Sequence, residues 1–338
     1  MLYVTTRNNW DTYTAQRALM EDRAEDGGFY VPMRHPAYAE AELASLKGMS
    51  FNQRIAEILN RLFQTHLTKW DVDFAVGRNP VKLVPLRHRI VMGEFWHNPD
   101  WNYAKMEAGL SRLLRKDDVA PGSWLRISIR AAILASASLE LQEDPGERMD
   151  VAMVSGEFHW PISAWYARKW GFPIGNIVMC CNENKSLWEL VCYGQLKTDA
   201  ISTPTELPEA DISVPEELER LIHGCGSAEE TENYLDCCRR GIAYFADANM
   251  QSALQDGNFV SVVSSSRIRD IISGAMGTHR YLLPPGPALA YGGLLDYRAK
   301  KGSLQTALVL CEHSSGCELE RISRMLGTAK ENLRKYIE

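Results

Sequence analysis

Apolar and polar positions alternate with two periods along this 338-residue chain. FNQRIAEILNRLFQTHL, starting at Phe51, sets Ile55, Ile58, Leu59 and Leu62 at the 3–4 spacing of an amphipathic helix. Short apolar runs of strand length recur: MLYVTT, VKLVPL, RIVMGEFW, VAMVSG, NIVMCCNEN, FVSVVSS and TALVLCEH. Helical stretches stand between several of them, among them YAKMEAGLSRLL, WLRISIRAAILASASLEL and PISAWYARKWG, which Gly171 closes. DGGFYVP is a turn leading into an extended piece that Pro32 stops. From about residue 80 the alternation predicts an α/β sheet with helical crossovers. KTDAISTPTELPEADISVPEE, residues 197–217, is dense in Pro, Ser, Thr and acids and predicts an exposed linking loop. SSSRIRD (264–270) reads as a solvated loop, with anion binding by its hydroxyls and arginines as the alternative. Near the end, Gly327-Thr328 reads as a cap before a charged helix.

Composition narrows the class. A chain 45% apolar and 24% charged is an ordinary globular protein, long enough for two or three lobes. Its net charge of −6 gives no general attraction to nucleic acid or an anionic membrane. MLYVTTRNNW lacks the apolar region of a secretory signal, and no apolar run reaches the ~18 residues of a membrane span. A cytoplasmic protein is expected. The eight cysteines form no CxxC pair, so a zinc ribbon is not expected. They read as reduced thiols that fill core space, including the neighbours Cys180-Cys181 and Cys237-Cys238.

Candidate chemistry begins at EFWHNPDWNYAK, residues 94–105, a polar loop opening a helix with Lys105 at its end. In chain order, YVTTR with DGGFYVP, LVPLRHRIVMGEFWHNP, VAMVSGEFHWPISAWYARKWGFPIGNIVMCCNEN, ADISVPEELERL, YLLPPGPALAYGGLLDY and LVLCEH resemble segments of threonine synthase. That family belongs to the tryptophan-synthase-β fold type (fold type II) of pyridoxal-phosphate (PLP) enzymes. The resemblance implies a layered α/β sheet. It also implies a threonine-synthase-like N-terminal domain over residues 1–80 and a trimmed PLP-enzyme-like core over 81–338, with the small mobile lobe largely deleted. Only LRKDDVAPGSW stands where the family places much of that lobe.

Against the family's H-G-P-x-x-x-x-K-D, the Schiff-base lysine falls on Ala104 or Tyr103, and Lys105 is one or two residues late. One residue turns a helical side chain by about 100°. The phosphate loop, T-G-N-F-G-N in the family, reads Ser155-Gly156-Glu157-Phe158-His159-Trp160. A histidine replaces a glycine, and Glu157 brings like charge towards a phosphate. The hydroxyl that meets the cofactor's ring nitrogen is matched by Cys311, a weaker hydrogen-bonding group. A D-P-H-T segment reads Pro284-Pro285-Gly286-Pro287. Arg126 matches an arginine that helps bind the substrate's phosphate, with Ser123 beside it in place of an asparagine; pairing with an acid at a lobe boundary is the structural alternative.

Three readings stay open. The first is a degenerate threonine-synthase-like protein with a ligand-binding, regulatory or specialised amino-acid biosynthetic role. There Trp101, Tyr103, Phe158 and Trp160 fill the old site and no cofactor is needed. The second is a PLP-dependent carbon–oxygen lyase on an O-phosphohomoserine-like substrate, using Lys105, with Ser155 and Gly156 at the cofactor. The third is a repurposed, PLP-independent enzyme using His97, Glu157, His159, Cys311 and His313. E-x-H and C-x-H match no established metal motif, and no metal is expected. Possible partners are a small amino-acid-like or phosphorylated ligand, and a second copy or another protein.

Overall fold

The structure is a computed structural model that describes residues 1–95, 102–114 and 116–337. The N-terminal segment carries a three-stranded antiparallel sheet in the order β2-β1-β3, from β1 (Leu2–Thr5), β2 (Tyr13–Thr14) and β3 (Tyr30–Pro32). The helix Phe51–Phe63 packs beside it with Ile55, Ile58, Leu59 and Leu62 fully buried, as its spacing predicts. Burial of each such side chain contributes roughly 1.5–3 kcal/mol. Ser50 caps this helix, accepting from the Gln53 amide at 3.4 Å. A capping box between Thr68 and Asp71 starts the next, Lys69–Val76. Caps of this kind contribute about 1 kcal/mol.

The main sheet has six strands, β10-β7-β6-β11-β5-β4. Its members are β4 (Lys82–Leu86), β5 (Ile90–Glu94), β6 (Met149–Val154), β7 (Ile174–Cys181), β10 (Asn258–Val262) and β11 (Ala307–Cys311). All pairs are parallel except the β4–β5 hairpin. β8 (Gln195–Leu196) and β9 (Tyr244–Phe245) form a small separate pair. The inner strands are apolar on both faces because helices cover both. On β11, Leu308 and Leu310 join a core with the helices Trp124–Leu141 and His159–Lys169. Ala307, Val309 and Cys311 point the other way, into a core with the helices Ser265–His279 and Pro285–Lys301. The side-chain period of two thus divides one strand between two cores. Residues of the first eighty share the former core with the main sheet.

Three local expectations change. Residues 197–217 are not simply an exposed loop: Leu207 and Ala210 are fully buried. Asp211 anchors the segment, accepting from Asn182 Nδ2 (2.6 Å), Asn184 Nδ2 (3.1 Å) and the Thr205 amide (2.7 Å). Residues 265–270 open the helix Ser265–His279 instead of forming a solvated loop. Gly327 ends the helix Leu319–Leu326 at φ 61°, and the charged helix after it is short, Lys330–Arg334. No disulfide joins any of the eight cysteines. Among the described residues no helix is long and apolar enough to cross a membrane.

Candidate functional site

β5, β6, β7 and β11 all end at one edge of the sheet, where open α/β sheets present their ligand sites. Beyond β6 the chain turns sharply. The Ser155 amide donates to the Cys180 carbonyl, and the Phe158 amide to the Ser155 carbonyl at 2.8 Å. Gly156 sits at φ +39°, and a Cβ there would stand 2.7 Å from the Glu209 carbonyl oxygen. The turn therefore admits glycine alone and lies under the 208–210 segment. Phe158 is also left-handed, at φ 71°, a conformation costing roughly 1–3 kcal/mol in a residue with a Cβ. Its almost complete burial offsets that strain.

The helix that starts at His159 brings two side chains of interest. His159 Nδ1 lies 3.1 Å from Glu157 Oε2, and Nε2 lies 4.0 Å from Glu217 Oε1. Hydrogen bonding from His159 holds the Glu157 carboxyl below its ordinary pKa, against the opposing effect of partial burial. Glu217 is buried; its other oxygen pairs with Arg220, while Oε1 has no hydrogen-bond partner among the described residues. Ser155 Oγ contacts Cys181 Sγ at 3.3 Å.

Next along the helix, Trp160 joins an aromatic trio. Ring centroids lie 5.1 Å apart for Tyr103–Trp160, 5.3 Å for Phe95–Tyr103 and 5.5 Å for Phe95–Trp160. Arg130 stands over Tyr103 and Trp160, 4.7 and 5.3 Å from their centroids. Glu107 binds this group together. It accepts from Arg130 (2.7 Å) and Tyr103 (2.9 Å), and its other oxygen lies 3.0 Å from Arg126. Burial raises the Tyr103 pKa well above its ordinary value. Arg126 therefore pairs with an acid, as one of its two readings held, and also donates to the Val119 carbonyl.

Beside the trio lies a cavity of about 660 Å³. Ser155, Gly156, Glu157, His159 and Trp160 line one side, and Glu312, His313 and Cys317 another. Glu318, Glu320, Arg321 and Arg324 come from the C-terminal region, and Arg130 from the interior. Arg321 ties the Leu319–Leu326 helix to the 206–209 segment, 3.1 Å from Glu209 Oε2, and pairs with Glu318 at 2.9 Å. Burial raises the Glu318 carboxyl above its usual pKa. Cys311 is fully buried and donates to the His313 carbonyl at 3.3 Å.

The structure thus gathers Ser155, Gly156, Glu157, His159 and His313 at one cavity, with Cys311 at the base of the loop carrying His313. Lys105 and Ser123 are not among its lining residues; Lys105 is exposed, and Ser123 is buried at the start of the Trp124–Leu141 helix. Of the aromatics expected to fill the site, Tyr103 and Trp160 meet, with Phe95 as the unforeseen third, and Phe158 is buried nearby. His97 and Trp101 lie outside the described residues. Among the described residues no group of three or more His, Cys, Asp or Glu side chains could hold a metal ion. Pattern reading missed Glu107, Arg130, Glu217, Arg321 and Arg324. For Glu217 and Arg220, the charged run inside ADISVPEELERL was the available signal.

The sequence model of the family described as "Threonine synthase N terminus" matches residues 2–78. No curated protein matches the chain in sequence. Among solved structures, a PLP-bound threonine synthase from Brucella melitensis superposes with TM-score 0.82 at 15% identity, covering 100% of both chains. Yeast threonine synthase gives TM-score 0.80 at 14% identity, covering 99% of this chain and 93% of its own. The Escherichia coli enzyme gives 0.76 at 13%, covering 100% and 95%. The fold is therefore that of the fold type II PLP enzymes. Within that class the chain is threonine-synthase-like, in its N-terminal sequence and in its whole architecture.

The cofactor of that class needs an amine for its Schiff base and a phosphate seat. No lysine lines the cavity among the described residues, and residues 96–101, 115 and 338 include none. The loop after β6 carries Glu157, whose carboxyl pKa is lowered by its bond to His159, and packs under the Glu209 carbonyl. Among the described residues the cavity lining thus offers no lysine amine.

Proposed function

We propose that this threonine-synthase-like protein is degenerate at the PLP site and that its cavity holds a small ligand without a Schiff base. The role is ligand binding, regulation or a specialised step of amino-acid biosynthesis. The observation that carries this reading is the packed unit at the helix start. Tyr103, at one of the two positions matching the family's lysine, is stacked with Trp160 and Phe95 and hydrogen-bonded to Glu107. Adding PLP there would require unpacking aromatic side chains whose removal typically costs roughly 3–5 kcal/mol each. A largely deleted small lobe belongs to the same proposal: residues 114–123 alone connect the helices Tyr103–Leu113 and Trp124–Leu141. Without a mobile lobe, the water exclusion that such lids provide is lost.

The competing lyase reading needs Lys105, which is exposed. Incubation with PLP, borohydride reduction and peptide mass spectrometry tests it. We expect no stoichiometric adduct on Lys105, no absorbance band at about 420 nm from an aldimine, and no threonine from O-phosphohomoserine. A one-to-one adduct on Lys105 that Lys105→Ala abolishes would overturn the reading.

One observation favours a second reading, PLP-independent acid–base chemistry. His159 is hydrogen-bonded to the accessible Glu157 at 3.1 Å, an acid–base pair at the cavity, and its other ring nitrogen faces the buried Glu217 at 4.0 Å.

A further inference from the structure

We propose that the free edge of the main sheet, strand β10, docks an extended acidic segment of a partner protein, which adds to the sheet as a further strand.

β10 ends the sheet, and its neighbour there is β7. The Ile177 amide donates to the Gly257 carbonyl and the Val263 amide to the Cys181 carbonyl, both at 2.9 Å. Residues bonded to one neighbour alternate along a parallel strand, so Phe259 and Ser261 also turn their backbone groups to β7. Val260 and Val262 turn theirs outward, where no further strand meets them among the described residues. Such an edge is ordinarily guarded by proline or by charge. The opposite edge, β4, carries Lys82 and Pro85. β10 reads NFVSV and carries neither.

A groove of about 320 Å³ lies along this edge, lined by residues 259–262 of the strand with Lys185, Trp188 and Lys300. The side-chain period of two sends Val260 into the core with the helix Ser186–Tyr193, and Phe259 towards the opposite core, against Tyr297. Each flank thus carries an aromatic ring beside a lysine. Lys185 Nζ lies 5.7 Å from the Trp188 ring centroid, and Lys300 Nζ lies 5.7 Å from that of Phe259.

Charge selects the occupant. Among the described residues no acidic side chain lines the groove. Lys300 is exposed and makes no ion pair among them, and Lys185 reaches Glu189 only at 3.9 Å. An added strand sends alternate side chains to the two flanks, so acids meet both lysines while apolar residues meet Trp188 and Phe259. The outward backbone groups supply affinity and the flanks supply specificity. A second copy fits less well. Two β10 strands paired antiparallel would keep both copies' Lys300 on one face of the joint and both Lys185 on the other, like charge towards like. A nucleic acid would leave the outward N–H groups unused and would meet a net charge of −6.

The test uses the full chain and fluorescein-labelled peptides read by anisotropy. The probe repeats Glu-Glu-Val-Val, which gives each face of a strand both acids and apolar residues. One control repeats Lys-Lys-Val-Val, and another is the probe with alternate backbone amides N-methylated. The probe should bind at least tenfold more tightly than either control. Lys300→Glu should weaken it at least tenfold. So should Val262→Pro, which removes an outward N–H where an edge strand tolerates proline, with circular dichroism unchanged. Bound probe should slow hydrogen exchange at the Val260 and Val262 amides at least tenfold. The proposal is overturned if the probe does not bind, if either control binds equally well, or if a thymidine oligonucleotide binds more tightly than the probe. A dimer in sedimentation that Val262→Pro dissociates would give the edge to a second copy and overturn it likewise.

Discussion

The N-terminal segment and the cavity edge stand under different constraints. Residues 2–78 still match the family's sequence model. The tips of β6 and β11, by contrast, lie outside that match; His159 follows the first and Cys311 ends the second. The contrast separates two kinds of constraint. Tyr3, Tyr30, Ile55 and Leu59 share one core with the main sheet, so a change there creates a cavity in the packing. Residues at the strand tips border open space, and their chemistry can change while the backbone path stays, provided Gly156 keeps its close approach to Glu209.

Arg220 offers the strongest way to break that contrast, because it joins the two regions. It is completely buried, pairs with Glu217, and donates to the Gly122 carbonyl at 2.9 Å and the Tyr30 carbonyl at 3.4 Å. Its guanidinium stands 4.3 Å from the Phe29 ring centroid. Removing one member of a buried ion pair leaves the other charge stranded, typically at a cost of 3–5 kcal/mol. Arg220→Ala should therefore lower unfolding free energy by about 4 kcal/mol in urea denaturation. Glu312→Gln, at the cavity, should change it by no more than about 0.5 kcal/mol. Equal effects of the two substitutions would contradict the division into packed scaffold and permissive edge.

The second prediction concerns pH. His223 contacts Asn9 at 3.2 Å, and burial lowers its pKa from 6.5 to about 4. Glu219 opposes that shift and His35 adds to it. The folded state thus binds fewer protons than the unfolded one between these values. This contribution is fully present above pH 6.5 and is lost as pH falls towards 4. A shift of this size is linked to at most about 3 kcal/mol. His223→Gln should flatten the stability profile between pH 4 and 6.5, measured by denaturation at a series of pH values; an unchanged slope would show that His223 does not carry it.

How far the sequence spoke for itself follows the same division. Apolar runs located β1, β4 to β7, β10 and β11; for β5, β6, β7 and β11 the reason is that inner strands of a covered sheet must be apolar on both faces. The resemblance of the loop after β6 to a phosphate loop brought out Glu157 and His159. Other elements depended on partners remote in the chain. Leu207 and Ala210 are two small apolar signals in a polar stretch, and their burial comes from what the segment lies across. Ser264 before an arginine-rich helix resembles a loop serine until the helix is seen to start beside it. Glu107 and Arg130 are 23 residues apart, and Arg220 is 190 from Tyr30, distances over which helical periodicity is silent.

The smallest predicted effect is also the most specific to the cavity. Glu157 is 64% exposed on its side chain, so its bond to His159 is screened by solvent, and Glu157→Gln should shift stability by less than about 0.5 kcal/mol at pH 7. The sign follows from the depressed carboxyl pKa. The contribution is present above the ordinary carboxylate range and disappears as pH falls through the lower folded value, so wild type and variant should converge in acid. The informative quantity is coupling to Glu217, which approaches the other nitrogen of the same ring. If His159 links the two carboxylates, Glu157→Gln and Glu217→Gln together will depart from additivity by at least about 0.5 kcal/mol, and His159→Gln will abolish that departure. Strict additivity would leave Glu157 a cavity-facing charge and Glu217 a structural partner of Arg220, with no proton path between them.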